Sequence, residues 1–456
     1  MVRLLIRLPL LVTAAAACLH PREEAGLPTE GIRIRRDAAE ATVPIGTGDR
    51  WANGTVPRGL GTQPAGTKVT SIMTPEEVRS AIDALADEFD FEVGETPNET
   101  HKGATMFYAK VGGAGCDASY RTFLTANIHA RERGAADNLV YFISDLLWAE
   151  REGTGVVFGG KHYSMADVKK ALGTGIVFMP MLNPDGVAYD QAEDNCWRRN
   201  RNPDAPVDLN RNFDYLWDYK AKFADRISEF VASDDPNIEV YVGTSAFSEP
   251  ETRNVKWVLD ENPSIEWSFD IHSYAGLIIY SWGEDFNQFT DPDMDFRNSA
   301  YDDRRGIKIE EPGEHYSAYR AKDLWQSDSF VAQRVANAMA GATQHLRIPI
   351  TAIQGILMAP TMGSLSDYVS SRGVSDPSSP DTHGLTLEFG QSGPIEDCPF
   401  YYDEEDFNFN IQGVGAGLME FLLGAADDGL AEVNCNSHDD DSDSDSDSDD
   451  DVDDDD

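Results

Sequence analysis

Positive charge is scarce in this chain. Its 456 residues hold 37 Lys and Arg against 80 Asp and Glu, a formal net charge of −43. Nucleic acid and anionic membrane are poor partners for such a surface, because both repel it. Long apolar runs are also lacking. The stretch from Leu8 to Cys18 is apolar but too short to span a bilayer, and nothing later in the chain is long or apolar enough. Only five cysteines occur, none in a Cys-x-x-Cys pair, which argues against a cysteine zinc site. Internal repeats are absent, so a repeat architecture is not expected.

The two ends differ from the middle. Arg3 and Arg7 precede the apolar stretch, and Ala14 to Ala17 offer a small-residue cleavage site. Residues 1–18 therefore read as a signal peptide, and the mature protein is expected outside the cell. Ala15-Ala16-Ala17-Cys18 also resembles a lipobox, which makes lipid anchoring through Cys18 the minor alternative. Residues 19–68 are rich in Gly, Pro, Thr and charge and read as a linker or short pro-segment. Within them Arg33-Ile34-Arg35-Arg36 is either a processing site or a solvated cluster. At the other end, residues 436–456 read as a disordered Asp/Ser tail. Its last eighteen residues hold thirteen Asp, and removing them from the net −43 leaves −30, so the body is acidic as well. The tail either solubilises the protein or binds divalent cations weakly. Cys116, Cys196, Cys398 and Cys435 allow two disulfides in an exported protein, with three alternative pairings.

Hydrophobic residues are spread evenly in between, which predicts one globular domain over residues 69–430; the chain is expected to be a monomer. Thr74-Pro75-Glu76-Glu77 is a capping box with proline in the first helical position, and Val78, Ile82, Leu85 and Phe89 follow at helical spacing. A second helix is expected after residue 134, with Leu139, Ile143, Leu146 and Leu147 on one face. A third is expected over about 328–346, through Val331, Val335, Met339, Ala342 and Leu346. Short apolar runs at Phe123–Ile128, Ile176–Leu182, Trp267–Ile271 and Leu385–Phe389 read as buried strands. Strands alternating with helices predict an α/β fold: a mixed, mostly parallel central sheet with helices on both faces. In such sheets reactive groups gather beyond the strand ends.

His129-Ala130-Arg131-Glu132 leaves one of those runs, so an imidazole and a carboxylate can face one point. Zinc accepts both ligand types, and a catalytic zinc needs a third ligand and an open position. His272 supplies the third. Trp267, Phe269 and Ile271 alternate with Ser268, Asp270 and His272, so period two separates the apolar set from the histidine. His383 is the nearest competitor. Glu388 shares a strand face with Thr386, opposite Leu385, Leu387 and Phe389. A carboxylate there is costly unless it faces a polar site or a cation. A third cluster, Trp197-Arg198-Arg199-Asn200-Arg201 with Asp208-Leu209-Asn210-Arg211-Asn212, concentrates Arg and Asn in an acidic chain and suits a bound carboxylate.

Together these stretches, with His272-Ser273-Tyr274 and Leu387-Glu388-Phe389, resemble the zinc metallocarboxypeptidases of carboxypeptidase A type in order and spacing, over roughly residues 70–425. The resemblance implies one zinc per chain on His129, Glu132 and His272, with Glu388 as catalytic base and Arg198 at the oxyanion. Asn210 and Arg211 would grip the terminal carboxylate of a peptide or protein substrate. Arg131 and Tyr274 would line the cleft, and Asp208 would hydrogen-bond the far nitrogen of His129. Leu365 or Ser366 falls on the specificity position and Thr386 on a pocket wall, which leans towards neutral or apolar terminal residues. One departure stands out: no Tyr lies between Tyr319 and Tyr368, where the family carries a mobile one, and Met358 or Ala359 takes its place. Residues 284–325 also exceed the family's usual connection.

Overall fold

A computed structural model describes residues 42–431, 433 and 435, apart from 49, 226–230, 286–295, 304, 307–321, 344–349, 377 and 391–397. The signal peptide, the Arg33–Arg36 cluster, Leu346, the acidic tail and much of 284–325 lie outside the described residues.

The first helix, α1 (Pro75–Phe89), starts where its capping box lies. Thr74 accepts from the Glu77 backbone N–H, and the Glu77 carboxylate accepts from Thr74. Asp90 ends it in the left-handed region. Val78, Ala81, Ile82 and Leu85 are buried. Helix α2 (Ala135–Glu152) buries far more than one face, with Val140, Tyr141 and Phe142 as deep as Leu139 and Ile143. Strands β1 (Val93–Glu99), β2 (Thr105–Val111), β3 (Thr122–Ala126), β6 (Ile176–Met179), β7 (Trp267–Ser273), β8 (Leu277–Tyr280), β9 (Thr351–Gln354) and β10 (His383–Phe389) form one sheet, and β4 (Val156–Phe158) with β5 (Lys161–Tyr163) a small hairpin. The remaining long helices are α3 (Met165–Leu172), α4 (Pro184–Glu193), α5 (Pro250–Glu261), α6 (Lys322–Ala342), α7 (Leu365–Ser375) and α8 (Glu404–Asp428). Helix α6 begins six residues before the expected 328.

The sheet order is β1-β2-β6-β3-β7-β10-β8-β9. Its central strands β6, β3, β7 and β10 run parallel, as do β8 and β9; β1–β2, β2–β6 and β10–β8 are antiparallel. The sheet is therefore mixed, with a parallel centre, as the alternation of elements predicts. Period two divides each strand between two cores. Leu124, Ile176, Phe178, Phe269 and Leu387 pack with α2, α6 and α8. Phe123, Val177 and Met179 pack on the other face with Val255, Val258, Leu365 and Val369. Asp270, His272, Thr386 and Glu388 stand opposite the first core, and register pairs Glu388 with His272 and Thr386 with Asp270.

Order reaches back beyond Thr74. Val43 donates to the Tyr402 carbonyl, Ile45 bridges to Ile72, and the buried Asp145 carboxylate accepts from Gly61 N, Thr62 N and Thr62 Oγ1 at 2.7–2.9 Å. The described part of 19–68 is thus laid on the body and satisfies a buried charge, which a free linker does not do. The disulfides are Cys116–Cys435 and Cys196–Cys398. Among the described residues, no helix is long and apolar enough to cross a membrane.

Candidate metal centre and active site

The chain leaves β3 through Asn127, which is left-handed at φ 56°. Its amide holds the turn: Oδ1 accepts from Ala136 N at 2.7 Å, and Nδ2 donates to the Glu132 carbonyl at 3.2 Å. Asparagine tolerates that backbone region better than most residues. The turn points His129 and Glu132 at the end of β7, where His272 sits. His129 Nδ1 lies 2.7 Å from Glu132 Oε1, His272 Nδ1 3.0 Å from Glu132 Oε2, and the two Nδ1 atoms 3.2 Å apart. All three side chains are fully buried.

Both far nitrogens are occupied by carboxylates. His129 Nε2 lies 3.1 Å from Asp208 Oδ1, and His272 Nε2 2.6 Å from Asp270 Oδ2. A carboxylate there selects the tautomer with its proton on Nε2. That leaves two Nδ1 lone pairs and a carboxylate converging on one point. Such an arrangement repels itself unless a cation sits at its centre, and the donor set is one zinc favours. The residues therefore fit the metal. Burial alone would raise the Glu132 pKa, but any positive charge on the His129 and His272 rings outweighs it and holds the carboxyl well below its ordinary range. Asp208 behaves likewise: burial opposes ionisation, and Arg198 with His129 wins.

Asp270 is not among the site residues expected from the sequence. The signal was present, since Asp270-Ile271-His272 on a strand puts the two polar side chains on one face. Thr125 Oγ1 fixes Asp270 from β3 at 2.7 Å. Asp208 also carries Arg198, whose Nε and Nη2 donate to Oδ2 at 3.1 and 2.8 Å, so one carboxylate orients both a metal ligand and a fixed cation. Glu388 is fully buried, one strand over from His272, and its charge and that of Glu132 both act on the buried Tyr402 phenol.

The other predicted residues form two further groups. Asn210 Oδ1 accepts from Leu365 N at 2.8 Å, and Arg211 donates to the Asn210 and Val231 carbonyls. Gly363, at φ +60°, lies so close that a Cβ would come within 2.5 Å of the Arg211 carbonyl. Asn210, Arg211 and Leu365 thus form one unit, with Thr386 buried nearby on β10. Arg131 is fully buried instead, with its guanidinium 4.4 Å from the Phe400 ring, and Tyr274 packs edge-on to the same ring. His383, the competing histidine, stands at the opposite end of β10, stacked on Trp267 and bonded to Asp328. A cavity of about 470 Å³ lined by Phe91, Lys110, Tyr120 and Leu147 contains none of these residues.

Two imidazoles and a carboxylate, with a further glutamate in register beside one of them, form a candidate metal centre on an α/β sheet. Residues 94–372 match the family described as zinc carboxypeptidase, and the chain belongs to that family. It is 29% identical over 222 residues to carboxypeptidase B of Astacus astacus, covering 47% of this chain and 65% of that protein. It is 29% identical over 216 residues to carboxypeptidase A4 of Mus musculus, 46% of each. An inactive metallocarboxypeptidase of Talaromyces marneffei is 32% identical over 116 residues, 23% of this chain and 18% of that one. The chain thus spans less than two thirds of the length of these relatives. Its fold resembles the crystal structure of thrombin activatable fibrinolysis inhibitor, with TM-score 0.57 and 20% identity over 78% of this chain and 75% of that one. Carboxypeptidase A from Helicoverpa armigera gives 0.56 and 19%, over 78% and 74%.

Proposed function

We propose that this protein is a zinc-dependent exopeptidase that hydrolyses the C-terminal peptide bond of peptides and proteins. One catalytic zinc would be held by His129, Glu132 and His272. The observation that carries the reading is their convergence, with Glu388 in register beside His272. When bound, zinc polarises a carbonyl and lowers the pKa of a water towards about 7. Glu388 takes a proton from the attacking water and returns it to the leaving amine. Arg198, fixed by Asp208, places a positive charge where the oxyanion grows. Asn210 and Arg211 hold the substrate's terminal carboxylate, which limits cleavage to the last bond. Arg131 and Tyr274 bound the cleft beside Phe400.

A neutral or apolar terminal residue suits the uncharged Leu365, Ser366 and Thr386. Asp367 is close, but its carboxylate already accepts from Gly283 N and Ser364 Oγ. Secretion agrees with the leader at Arg3–Cys18 and with two disulfides, which persist in oxidising compartments. A second reading is a peptide-binding protein on this scaffold, favoured by the inactive relative and by the missing tyrosine.

Peptides ending in Leu, Phe, Arg or Glu, followed by mass spectrometry with and without a chelator, separate these readings. Single-residue losses from the C-terminus, fastest for Leu and Phe and abolished by the chelator, are expected. Glu388→Gln should keep its metal and lose turnover by about 10²–10⁴-fold. Metal-independent trimming or internal cuts would overturn the proposal, and intact peptides that bind to the metal-loaded protein would favour the second reading.

A further inference from the structure

A second cluster lies away from the centre just described. His101, in the turn between β1 and β2, meets Glu249 and Glu251 at the start of α5, with one possible ligand atom from each within 4.8 Å of the others. His101 Nε2 is 2.9 Å from Glu249 Oε2. Asp185 adds a third carboxylate close by, bonded to Thr100 Oγ1 and Lys102 N. Among the described residues, no lysine or arginine pairs with Glu249, Glu251 or Asp185. Glu251 is 1% exposed, and while Oε2 accepts a 3.2 Å bond from Asn200, its Oε1 has no hydrogen-bond partner among the described residues. A buried carboxylate oxygen left bare beside two other carboxylates carries a large desolvation cost.

The N-terminus of α5 attracts both glutamates, but a helix end does not explain why an imidazole and a third acid should gather beside them. Asn200 cannot act as their counter-charge. Its Oδ1 is committed to Val207 N and Asn202 N, so its amide N–H groups can only donate to the two glutamates. It orients them as a supporting amide would orient metal ligands.

We propose that His101, Glu249 and Glu251 hold a second divalent cation of the zinc class, structural rather than catalytic. One imidazole and two carboxylates suit zinc; calcium prefers six to eight oxygens and has little use for the histidine. Glu249 and Glu251 are buried while His101 is exposed, so solvent reaches the site from the histidine side. The cation would fasten two separate segments. His101 brings the β1–β2 turn and the glutamates bring α5. The backbone of Glu249 and the hydroxyl of Thr252 bond Asn212 Oδ1, which ties the site to the strap carrying Asn210 and Arg211.

The test counts zinc. Full-length protein is stripped with chelator, dialysed against zinc sulfate, desalted and measured by plasma mass spectrometry. Wild type should retain two zinc ions per chain, and His101→Ala or Glu251→Gln one. His272→Ala should also retain one, and His101→Ala combined with His272→Ala none. Added zinc should raise the melting temperature of His272→Ala but not of the double variant. Because His101 is exposed, its replacement leaves the fold intact, which far-UV dichroism checks. A second zinc that survives His101→Ala, or a wild type that holds only one zinc and loses it in His272→Ala, overturns the site. Equal stabilisation of His272→Ala by calcium also overturns it. A wild type with one zinc that His101→Ala removes and His272→Ala keeps would leave this site standing and count against the catalytic centre instead.

Discussion

At the scale of single residues, the proposed centre depends on the carboxylates behind its two imidazoles, Asp208 and Asp270. Asp270 accepts from His272 Nε2 and is itself held by Thr125, so it sets both the tautomer and the ring angle of a proposed metal ligand. Replacing Asp270 with Asn keeps the shape and removes the charge. Zinc affinity should fall by about 10–100-fold, read by competition with a chromophoric chelator. Unchanged affinity would mean that strand geometry alone positions His272. Asp208 is less easily tested, because the same carboxylate holds Arg198 and His129, and one substitution would disturb both.

At the scale of elements, α2 carries two buried acids that work on the chain before it. Asp145 takes the Gly61–Thr62 backbone, and Asp137 accepts from Met73 N at 3.1 Å. Burial raises both to about 7, above the value of about 3.9 expected in the unfolded chain. Between those values the folded state binds more protons than the unfolded one. Their contribution is therefore full below about pH 4 and is lost as pH rises through 7. Asp145→Asn removes one of these slopes. The stability gap between wild type and variant should shrink from pH 5 to pH 8, by on the order of 1–3 kcal/mol. Urea unfolding at the two pH values measures it, and a constant or widening gap would contradict the sign.

For the whole molecule, the two disulfides join points 319 and 202 residues apart. Cys196–Cys398 matters more to the site. It ties the residue next to Trp197-Arg198 to the segment beyond β10, which carries Glu388, and Arg131 donates to the Cys196 carbonyl beneath it. Changing both cysteines to Ser should lower stability by about 2–5 kcal/mol, seen in denaturant unfolding. Reductant should lower the stability of wild type by more than that of the variant, which has only Cys116–Cys435 left to lose. A variant as stable as wild type would show that packing alone holds the two segments together.

Local pattern made much of the proposed site legible. His272 and Glu388 lie on strands whose period-two alternation shows where polar side chains emerge, His129 and Glu132 lie in the turn that leaves β3, and Thr74–Glu77 announced α1 by its capping chemistry. Elements without that periodicity stayed hidden. β1 reads Val-Gly-Glu-Thr-Pro-Asn-Glu and becomes a strand by pairing with β2. α8 is broken up by glycines that lower helix propensity, yet at Gly415 and Gly417 they let Phe158 and Met339 approach closely. Chain order alone determined which residues could bind a metal and which ends of which strands would present them. Which carboxylate faces which imidazole, which cysteines join, and how far back the packed chain begins were decided only in three dimensions. Those contacts bridge residues far apart in sequence, where neighbouring residues carry no information about the partner.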